Sequence, residues 1–191
     1  YEVKVVDEDD CEVPPNTTGE IIIRNQLPWL MVTEYYRMPE KTASDFRNLW
    51  FHTGDACRMD EDGYFYFADR MKDYIRRRAE NVSSFEVEKI VNSNPAVEES
   101  AAIGIPAGEG AVAEDEIKIV VVLKPGEQLT PEKLMKWCED RMPYFMIPRF
   151  VEFVDELPKT PTSKVIKHRL REAGITENTW DREKAGYKIK R

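Results

Sequence analysis

The first seventy or so positions alternate between apolar and polar residues in the manner of β-strands. The run Tyr1–Val6 and the run Glu20–Arg24 flank a polar connection rich in Pro, Asn and Thr. Alternation with a period of two is typical of a half-buried strand, so the two runs predict a hairpin with a long loop. Trp50–Arg58 and Tyr64–Arg70 flank an Asp-Gly turn and predict a second hairpin. Between the two hairpins, Pro39–Phe46 predicts a short helix with proline in its first turn.

The hydrophobic pattern changes after Arg70, where a charged segment precedes alternating helices and strands. A helix is predicted within Asn81–Pro95, with Ser83 or Ser84 as its cap and an apolar stripe of Phe85, Ile90 and Val91. Further helices are predicted over residues 130–141 and 167–173, the last one ended by Gly174, and strands over residues 97–105, 117–123 and 150–154.

These elements predict an α+β protein in two parts. Residues 1–71 form the β-rich part, and residues 72–174 form a smaller domain in the order β-α-β-β-α-β-α, a small sheet covered by helices. We place the boundary at Met71 or Lys72. Residues 175–191 are a polar tail that either packs on the surface or frays.

Composition excludes several classes of function. A net charge of −8 argues against sequence-independent binding of nucleic acid. The three cysteines are widely spaced and the two histidines scattered, so neither a disulfide framework nor a metal site is indicated. No apolar run is long enough to span a membrane and no secretory signal opens the chain, so we expect a cytoplasmic location. Because Tyr1 stands within a strand pattern, the chain reads as a piece of a longer protein.

One loop near the end of the chain has the character of a rigid arm. Pro158 and Pro161 restrict the backbone, and the hydroxyl residues Thr160, Thr162 and Ser163 can bond to it. Lys164 is therefore predicted to lie at the tip of a stiff loop, where it can carry one positive charge into a site built elsewhere. The alternative is an ordinary surface turn before a helix.

Six motifs follow one another in a fixed order: Gly19-Glu20, Trp50–Asp55, Gly63–Arg70, Glu80–Ser83 with Glu86–Glu88, Pro143–Pro148 and Pro158–Lys164. Together they resemble the adenylate-forming superfamily of acyl-CoA synthetases, luciferases and peptide-synthetase adenylation domains. The stretch Glu80–Ser83 is most like acyl-CoA ligases of the crotonobetaine/carnitine type. The resemblance covers Tyr1 to about Gly174, the last third or so of such enzymes, and identifies residues 1–71 as the end of the large domain, with a barrel-like β-subdomain, and residues 72–174 as a mobile lid.

The resemblance implies a two-step reaction that needs ATP, Mg²⁺ and coenzyme A, with AMP as a product. A carboxylic acid is first adenylated, and the CoA thiol then displaces AMP to give a thioester. Lys164 matches the lysine that stabilises the developing charge of the first step. Asp55 matches the carboxylate that accepts the ribose hydroxyls, Thr53 belongs to the same motif, and Arg70 matches an arginine near the ribose and phosphate.

Further positions follow from the same resemblance. Lys72 matches the hinge about which the small domain rotates between the two half-reactions. Arg76 and Asn81 match positions near the nucleotide or pantetheine. The loop over residues 78–83 matches a CoA channel, for which the candidates are Arg78, Ala79, Glu80, Asn81 and Ser83.

Two departures from the family keep alternatives open. Ser163 stands where the family usually has glycine, and Arg78-Ala79 stands where related ligases carry glycine, which puts CoA as the acceptor in question. The alternatives are a carrier-protein phosphopantetheine or oxygen chemistry as the second step, or a non-catalytic interaction module. Residue by residue, Asp55 could instead cap a turn, Arg70 could form a surface ion pair, and the arginine run could be a solvated face.

The substrate acid and the oligomeric state do not follow from these residues. The phosphate loop and the acyl pocket of the family are not among them, so the chain as it stands is expected to be inactive alone.

Overall fold

The computed structural model describes residues 1–77, 80–107 and 114–189 and divides the chain into two compact units, Tyr1–Lys72 and Asp73–Arg191. The α+β class predicted from the sequence is confirmed. Among the helices of these described ranges, none is both long and apolar enough to cross a membrane.

The first unit is an antiparallel sheet with one short helix. Its elements are β1 (Glu2–Val6), β2 (Thr18–Arg24), α1 (Pro39–Asp45), β3 (Phe46–Arg47), β4 (Trp50–Met59) and β5 (Phe65–Arg70). Strand β4 pairs with β2, β3 and β5, so this strand is the centre of the sheet. Both predicted hairpins are present, because β1 pairs with β2 and β4 with β5.

In the second unit, residues 73–77, 80–107 and 114–189 form a small hairpin, a four-stranded sheet and three α-helices. Its elements are β6 (Ile75–Arg77), β7 (Glu80–Val82), α2 (Ser84–Asn92), β8 (Val97–Pro106), β9 (Asp115–Leu123), α3 (Pro131–Glu139), β10 (Phe150–Phe153), α4 (Lys167–Ala173) and β11 (Trp180–Asp181). The sheet order is β11-β10-β9-β8; β9 and β10 are parallel and the other pairs antiparallel. The predicted order differs at its start, where a hairpin replaces one strand, and at its end, where β11 is added.

Strand β9 is almost continuously apolar because both of its faces are covered. Ile117, Ile119 and Val121 pack with residues of α2 and α3, whereas Val120 and Val122 pack on the opposite face, near Leu170 of α4. A strand covered on both faces needs apolar side chains at successive positions. The second unit therefore has three layers, with the sheet in the middle.

The region after Gly174 contributes to the sheet. Trp180 pairs with Val151, and Asp181 and Arg182 are buried. In the interior, Lys118 lies 2.5 Å from Glu152 and also donates to the carbonyl of Gly174. A charge in so dry a place requires a partner, so this pair ties the end of α4 to β9 and β10.

Ser83, one of the two predicted cap residues, stands at the start of helix α2. The Ser83 hydroxyl accepts a hydrogen bond from the Glu86 amide, so Ser83 is the N-cap. The predicted apolar stripe was partly wrong, because Phe85 is half exposed and the buried residues of the helix are Ser84, Val87 and Val91. The spacing of Val87 and Val91, four residues apart, defines the buried face.

Candidate functional site

The central strand of the first unit bulges at the Thr53–Asp55 segment. Glu20 pairs with Ala56 and Ile22 with His52, so Ile21 alone faces Thr53, Gly54 and Asp55. Gly54 has φ of +70°, a backbone conformation that favours glycine. Bulges of this kind bend a strand and redirect a side chain, and here the redirected side chain belongs to Asp55.

Hydrogen bonds fix the bulge to the neighbouring strand. The Thr53 hydroxyl donates to the carbonyl of Ile21 at 2.8 Å and accepts from the amide of Asp55 at 3.1 Å. The amide of Gly54 donates to Oε1 of Glu20 at 2.9 Å. The backbone around Asp55 is therefore held by side chains as well as by the sheet.

Asp55 and Arg70 form an ion pair across β4 and β5. They face each other in the strand register, with 2.8 Å between Nη1 of Arg70 and Oδ1 of Asp55. The same Nη1 donates to the carbonyl of Thr53 at 3.3 Å. The Asp55 side chain is 29% exposed and that of Arg70 49% exposed, so both remain accessible to a ligand. The expected juxtaposition of Asp55 and Arg70 is present.

A cleft of about 210 Å³ lies beside the bulge in the same unit. Hydrogen bonding to Asp45 raises the pKa of Lys41, which keeps this lysine charged. Beside the Thr53-Gly54 backbone, the cleft is lined by the cations of Lys41, Arg47, Arg70 and Lys72 and by the carboxylates of Glu20 and Asp45, so it contains charges of both signs.

In the second unit, Lys164 lies on an exposed loop whose backbone is tightly braced. The amide of Lys164 donates to the Thr160 hydroxyl at 3.1 Å, and its carbonyl accepts from the Thr160 amide at 2.8 Å. Ser163 completes the turn with φ of +62°, so a serine occupies the backbone conformation that glycine prefers. The loop therefore fixes the position of the Lys164 backbone while its side chain stays exposed.

The remaining predicted residues are distributed along the hairpin of the second unit and the junction before it. Lys72 lies in the 3₁₀ turn Met71–Asp73, at the boundary between the two units. Arg76, Glu80 and Asn81 are exposed, whereas Ser83 is buried as the cap of α2. Arg78 and Ala79 lie outside the described residues.

Alternation along β6 separates two arginines that look alike in the sequence. Arg76 is exposed, but Arg77 is 2% exposed and donates to the carbonyls of Phe145 and Ile147. Arg77 also lies 2.9 Å from Glu116. The arginine run is therefore not simply a solvated face, since one of its members is part of the interior.

Comparison with known proteins assigns the chain to a class. Residues 86–164 match the model of the AMP-binding enzyme C-terminal domain. The predicted resemblance to adenylate-forming, AMP-binding enzymes is confirmed by this match.

The relatives are ligases of several kinds. The chain is 38% identical over 172 residues to a crotonobetaine/carnitine–CoA ligase of Citrobacter koseri, covering 90% of this chain and 33% of the relative. It is 40% identical over 171 residues to a long-chain-fatty-acid–CoA ligase of Escherichia coli, covering 90% of this chain and 29% of the relative. The chain thus spans about a third of the length of these curated relatives.

A solved structure agrees with this assignment. The ATP-bound MatB from Rhodopseudomonas palustris matches with a TM-score of 0.77 and 32% identity, over 98% of this chain and 35% of the MatB chain. The match includes nearly all of this chain, so both units have counterparts in that structure.

Two polar residues near Asp55 were not predicted as site residues. Glu20 was noted only as part of a strand motif, and His52 was noted as one of two scattered histidines and as a member of the Trp50–Asp55 motif, without a role of its own. The signal that was available is the carboxylate of Glu20 directly before three consecutive isoleucines. A charged group beside a buried strand requires a partner, and here its partners are His52 and Gly54.

Proposed function

We propose that this chain is part of an ATP-dependent acyl-CoA ligase that adenylates a carboxylic acid and transfers the acyl group to coenzyme A. The observation that carries the proposal is the pair of differently built sites: Asp55 on a fixed bulge and Lys164 on a braced, exposed loop. The match to the AMP-binding enzyme C-terminal domain and the names of the curated CoA ligases support the same reaction class.

In the first half-reaction, a carboxylate oxygen attacks the α-phosphorus of ATP and pyrophosphate leaves. Asp55 would accept hydrogen bonds from the two ribose hydroxyls, work suited to a carboxylate because it has acceptors only. Arg70 would lie near the ribose and phosphate, and Arg76 would approach the nucleotide or the pantetheine. Thr53 would hold the backbone of the bulge. The Lys164 ammonium would stabilise the charge that develops as two anions meet.

In the second half-reaction, the CoA thiol attacks the acyl carbon, AMP leaves and the thiol proton is released. We propose Lys72 as the hinge for a rotation of the second unit between the two steps. Glu80, Asn81 and Ser83 would then line the approach of CoA, together with Arg78 and Ala79.

Mg²⁺ belongs to the proposal as the ion that accompanies the triphosphate. Within the described ranges, no group of three or more His, Cys, Asp or Glu side chains is placed to hold a metal. When bound, Mg²⁺ neutralises phosphate charge, and the roles given above to Asp55, Arg70 and Lys164 do not depend on how it is held.

There are two alternatives. One concerns the molecule that accepts the acyl group, and the other is that the chain has no catalytic role. The acyl group would go to a carrier-protein phosphopantetheine if the Arg78-Ala79 segment excludes free CoA. A lid-like interaction module would result if Ser163 and Arg78-Ala79 mark a loss of catalysis.

Pyrophosphate exchange separates the module from the enzyme. We expect the full-length protein to exchange labelled pyrophosphate into ATP when given its acid, and the isolated chain to show no exchange. If the full-length protein shows no exchange with any carboxylic acid of a broad panel, the proposed ligase activity is wrong.

The acceptor is tested with a preformed acyl-adenylate. Free CoA and a phosphopantetheine-loaded carrier protein are offered separately to the full-length enzyme, and thioester formation is followed by mass spectrometry. We expect transfer to free CoA; transfer to the carrier protein alone would favour the other acceptor.

A further inference from the structure

Glu20 connects three groups around the Thr53–Asp55 bulge. Its Oε1 accepts from the Gly54 amide at 2.9 Å, its Oε2 lies 2.9 Å from Nδ1 of His52, and the same Oε2 lies 3.5 Å from Nη2 of Arg47. The side chain is only 12% exposed. A carboxylate that bonds both the backbone of a bulge and a neighbouring buried ring fixes one relative to the other.

The His52 ring is held by a hydrogen bond on one side only, because its Nε2 is buried with no hydrogen-bond partner among the described residues. His52 is 3% exposed, and because the Glu20 carboxylate has no proton to give, the ring donates through Nδ1. Nε2 of His52 is buried and points towards Asp10, with 3.8 Å between Nε2 and Oδ1. Burial opposes ionisation of Asp10, but hydrogen bonds from Asn48 and Arg47 lower its pKa, so this carboxylate stays charged.

The Glu20 contact acts at the residue next to Asp55. Gly54 adopts positive φ, and its amide is the point at which the bulge is tied to β2 by a charged acceptor. Hydrogen bonds to a charged group are stronger than neutral ones. Without this acceptor, the Gly54 amide loses its hydrogen bond to β2, and among the side-chain contacts above only that of Thr53 still ties the bulge to this strand.

We propose that Glu20, supported by His52, is a positioning residue that holds the bulge in the shape that presents Asp55 to the ribose of the nucleotide. The inference rests on the proposed function of Asp55. Glu20 does not touch the nucleotide in this role; it acts through Gly54 and Asp55.

The experiment measures AMP binding to the full-length protein by isothermal titration calorimetry. The variants are Glu20→Ala, Asp55→Ala and the double variant, with Glu61→Ala as the control because Glu61 lies in an exposed turn of the same unit. A small displacement of a binding group has a large cost, so we expect Glu20→Ala to weaken AMP binding roughly 10- to 100-fold. The control is expected to bind as the unmodified protein does.

Two binding measurements distinguish positioning from a general effect on folding. If Glu20 acts through Asp55, the double variant binds AMP as weakly as Asp55→Ala alone, within about twofold. The penalty of Glu20→Ala also disappears with 2′,3′-dideoxy-AMP, which lacks both ribose hydroxyls. Hydrogen exchange of the Gly54 amide is expected to accelerate in Glu20→Ala.

A conservative variant gives a graded result. Glu20→Gln keeps one oxygen for the Gly54 amide, but its NH₂ group then faces the N–H of His52. The ring can respond by moving its proton to Nε2, towards Asp10. We expect Glu20→Gln to retain more AMP affinity than Glu20→Ala. Should Glu20→Ala fail to fold, Glu20→Asp, which withdraws the carboxylate by one methylene, carries the same comparisons.

The outcomes separate the two proposals. If Asp55→Ala binds AMP as well as the unmodified protein, the ribose role of Asp55 is wrong and the inference on Glu20 falls with it. If Asp55→Ala weakens binding and Glu20→Ala does not, only the inference on Glu20 is wrong. A Glu20→Ala penalty that persists in full with the dideoxy nucleotide or in the Asp55→Ala background also overturns it.

Discussion

Asp55 and Lys164 are both exposed enough to meet a ligand, but the protein holds them in different ways. At Asp55 the side chain itself is restrained, by the ion pair with Arg70 and by a bulge tied to Glu20. At Lys164 only the backbone is restrained, through Thr160, and the side chain extends from an exposed loop. Asp55 is therefore a prepositioned hydrogen-bond acceptor. At Lys164 only the backbone is prepositioned, and the long cationic side chain stays flexible.

This difference matches what each group has to do in the proposed reaction. A carboxylate that orients a ribose is effective when it does not move, because the alignment is established before the ligand binds. A lysine that serves only one half-reaction must be able to leave, so restraint of its ammonium group would oppose turnover. Substitutions at the two sites should therefore differ in whether they change the rate of the reaction, the affinity for the nucleotide or the stability of the fold.

The largest effect is expected from Lys164→Ala in the full-length enzyme. Removal of a preorganised charge from a developing transition state lowers the rate by roughly 10²- to 10³-fold, and we expect this loss in ATP–pyrophosphate exchange. Thioester formation from a supplied acyl-adenylate should be unchanged, since that step does not use Lys164. Thermal unfolding should also be unchanged, because the side chain is exposed.

Lys184→Ala is the matched control, another exposed lysine of the second unit. It should leave both half-reactions intact. Unchanged pyrophosphate exchange in Lys164→Ala, or an equal loss in both half-reactions, would show that the contrast between the two sites is wrong.

The reactivity of Cys57 tests how firmly β4, the strand that contains Asp55, is held in the sheet. Burial, and secondly the negative charge of Asp55, raise the pKa of Cys57 to about 11, whereas Cys11 is exposed. Since the thiolate is the reactive form, alkylation of Cys57 by iodoacetamide at pH 8 should be at least about 100-fold slower than that of Cys11. Peptide mapping by mass spectrometry measures both rates in one sample.

The labelling contrast should vanish in urea, where both thiols are exposed. Equal rates for Cys57 and Cys11 in the folded protein would mean that the bulged strand opens readily. The strand could not then hold Asp55 as described.

Arg70→Ala tests the Asp55 site by removing the cationic partner of its ion pair. Loss of a hydrogen-bonding charge beside the ligand should weaken AMP binding roughly tenfold, measured by calorimetry. The unfolding free energy should fall by less than about 1 kcal/mol, because the pair with Asp55 is partly exposed. Arg37→Ala, an exposed arginine of the same unit, is the control. A large loss of stability without loss of AMP affinity would make Arg70 a structural residue only.

Local sequence patterns predicted the elements that carry these sites. The Asp-Gly turn predicted the β4–β5 hairpin and hence the pairing of Asp55 with Arg70, and the hydroxyl residues predicted the brace around Lys164. Such features depend on neighbours in the sequence, so one stretch contains the information. The α+β class followed from the change of hydrophobic period after Arg70.

The features that were not predicted depend on contacts between distant parts of the chain. Glu20 and His52 are thirty-two positions apart, and only the strand register brings them together. Arg77 is buried because its partners come from residues 116, 145 and 147. Strand β11 follows a polar stretch with little β signal; its burial rests on contacts such as the ion pair of Asp181 with Arg149.

The smallest effect expected is a gain in stability from Ser163→Gly. Ser163 has φ of +62°, a conformation that costs an L-residue about 1–2 kcal/mol. Glycine removes this strain but increases the freedom of the unfolded chain, an opposing term of about 0.5–1 kcal/mol. We therefore expect a net gain of up to about 1.5 kcal/mol, measured by urea unfolding of the 191-residue chain. Ser163→Ala removes the hydroxyl and keeps the strain, so it should show no gain. If Ser163→Ala stabilises as much as Ser163→Gly, the backbone is not strained at this turn, and the loop holds Lys164 by other means.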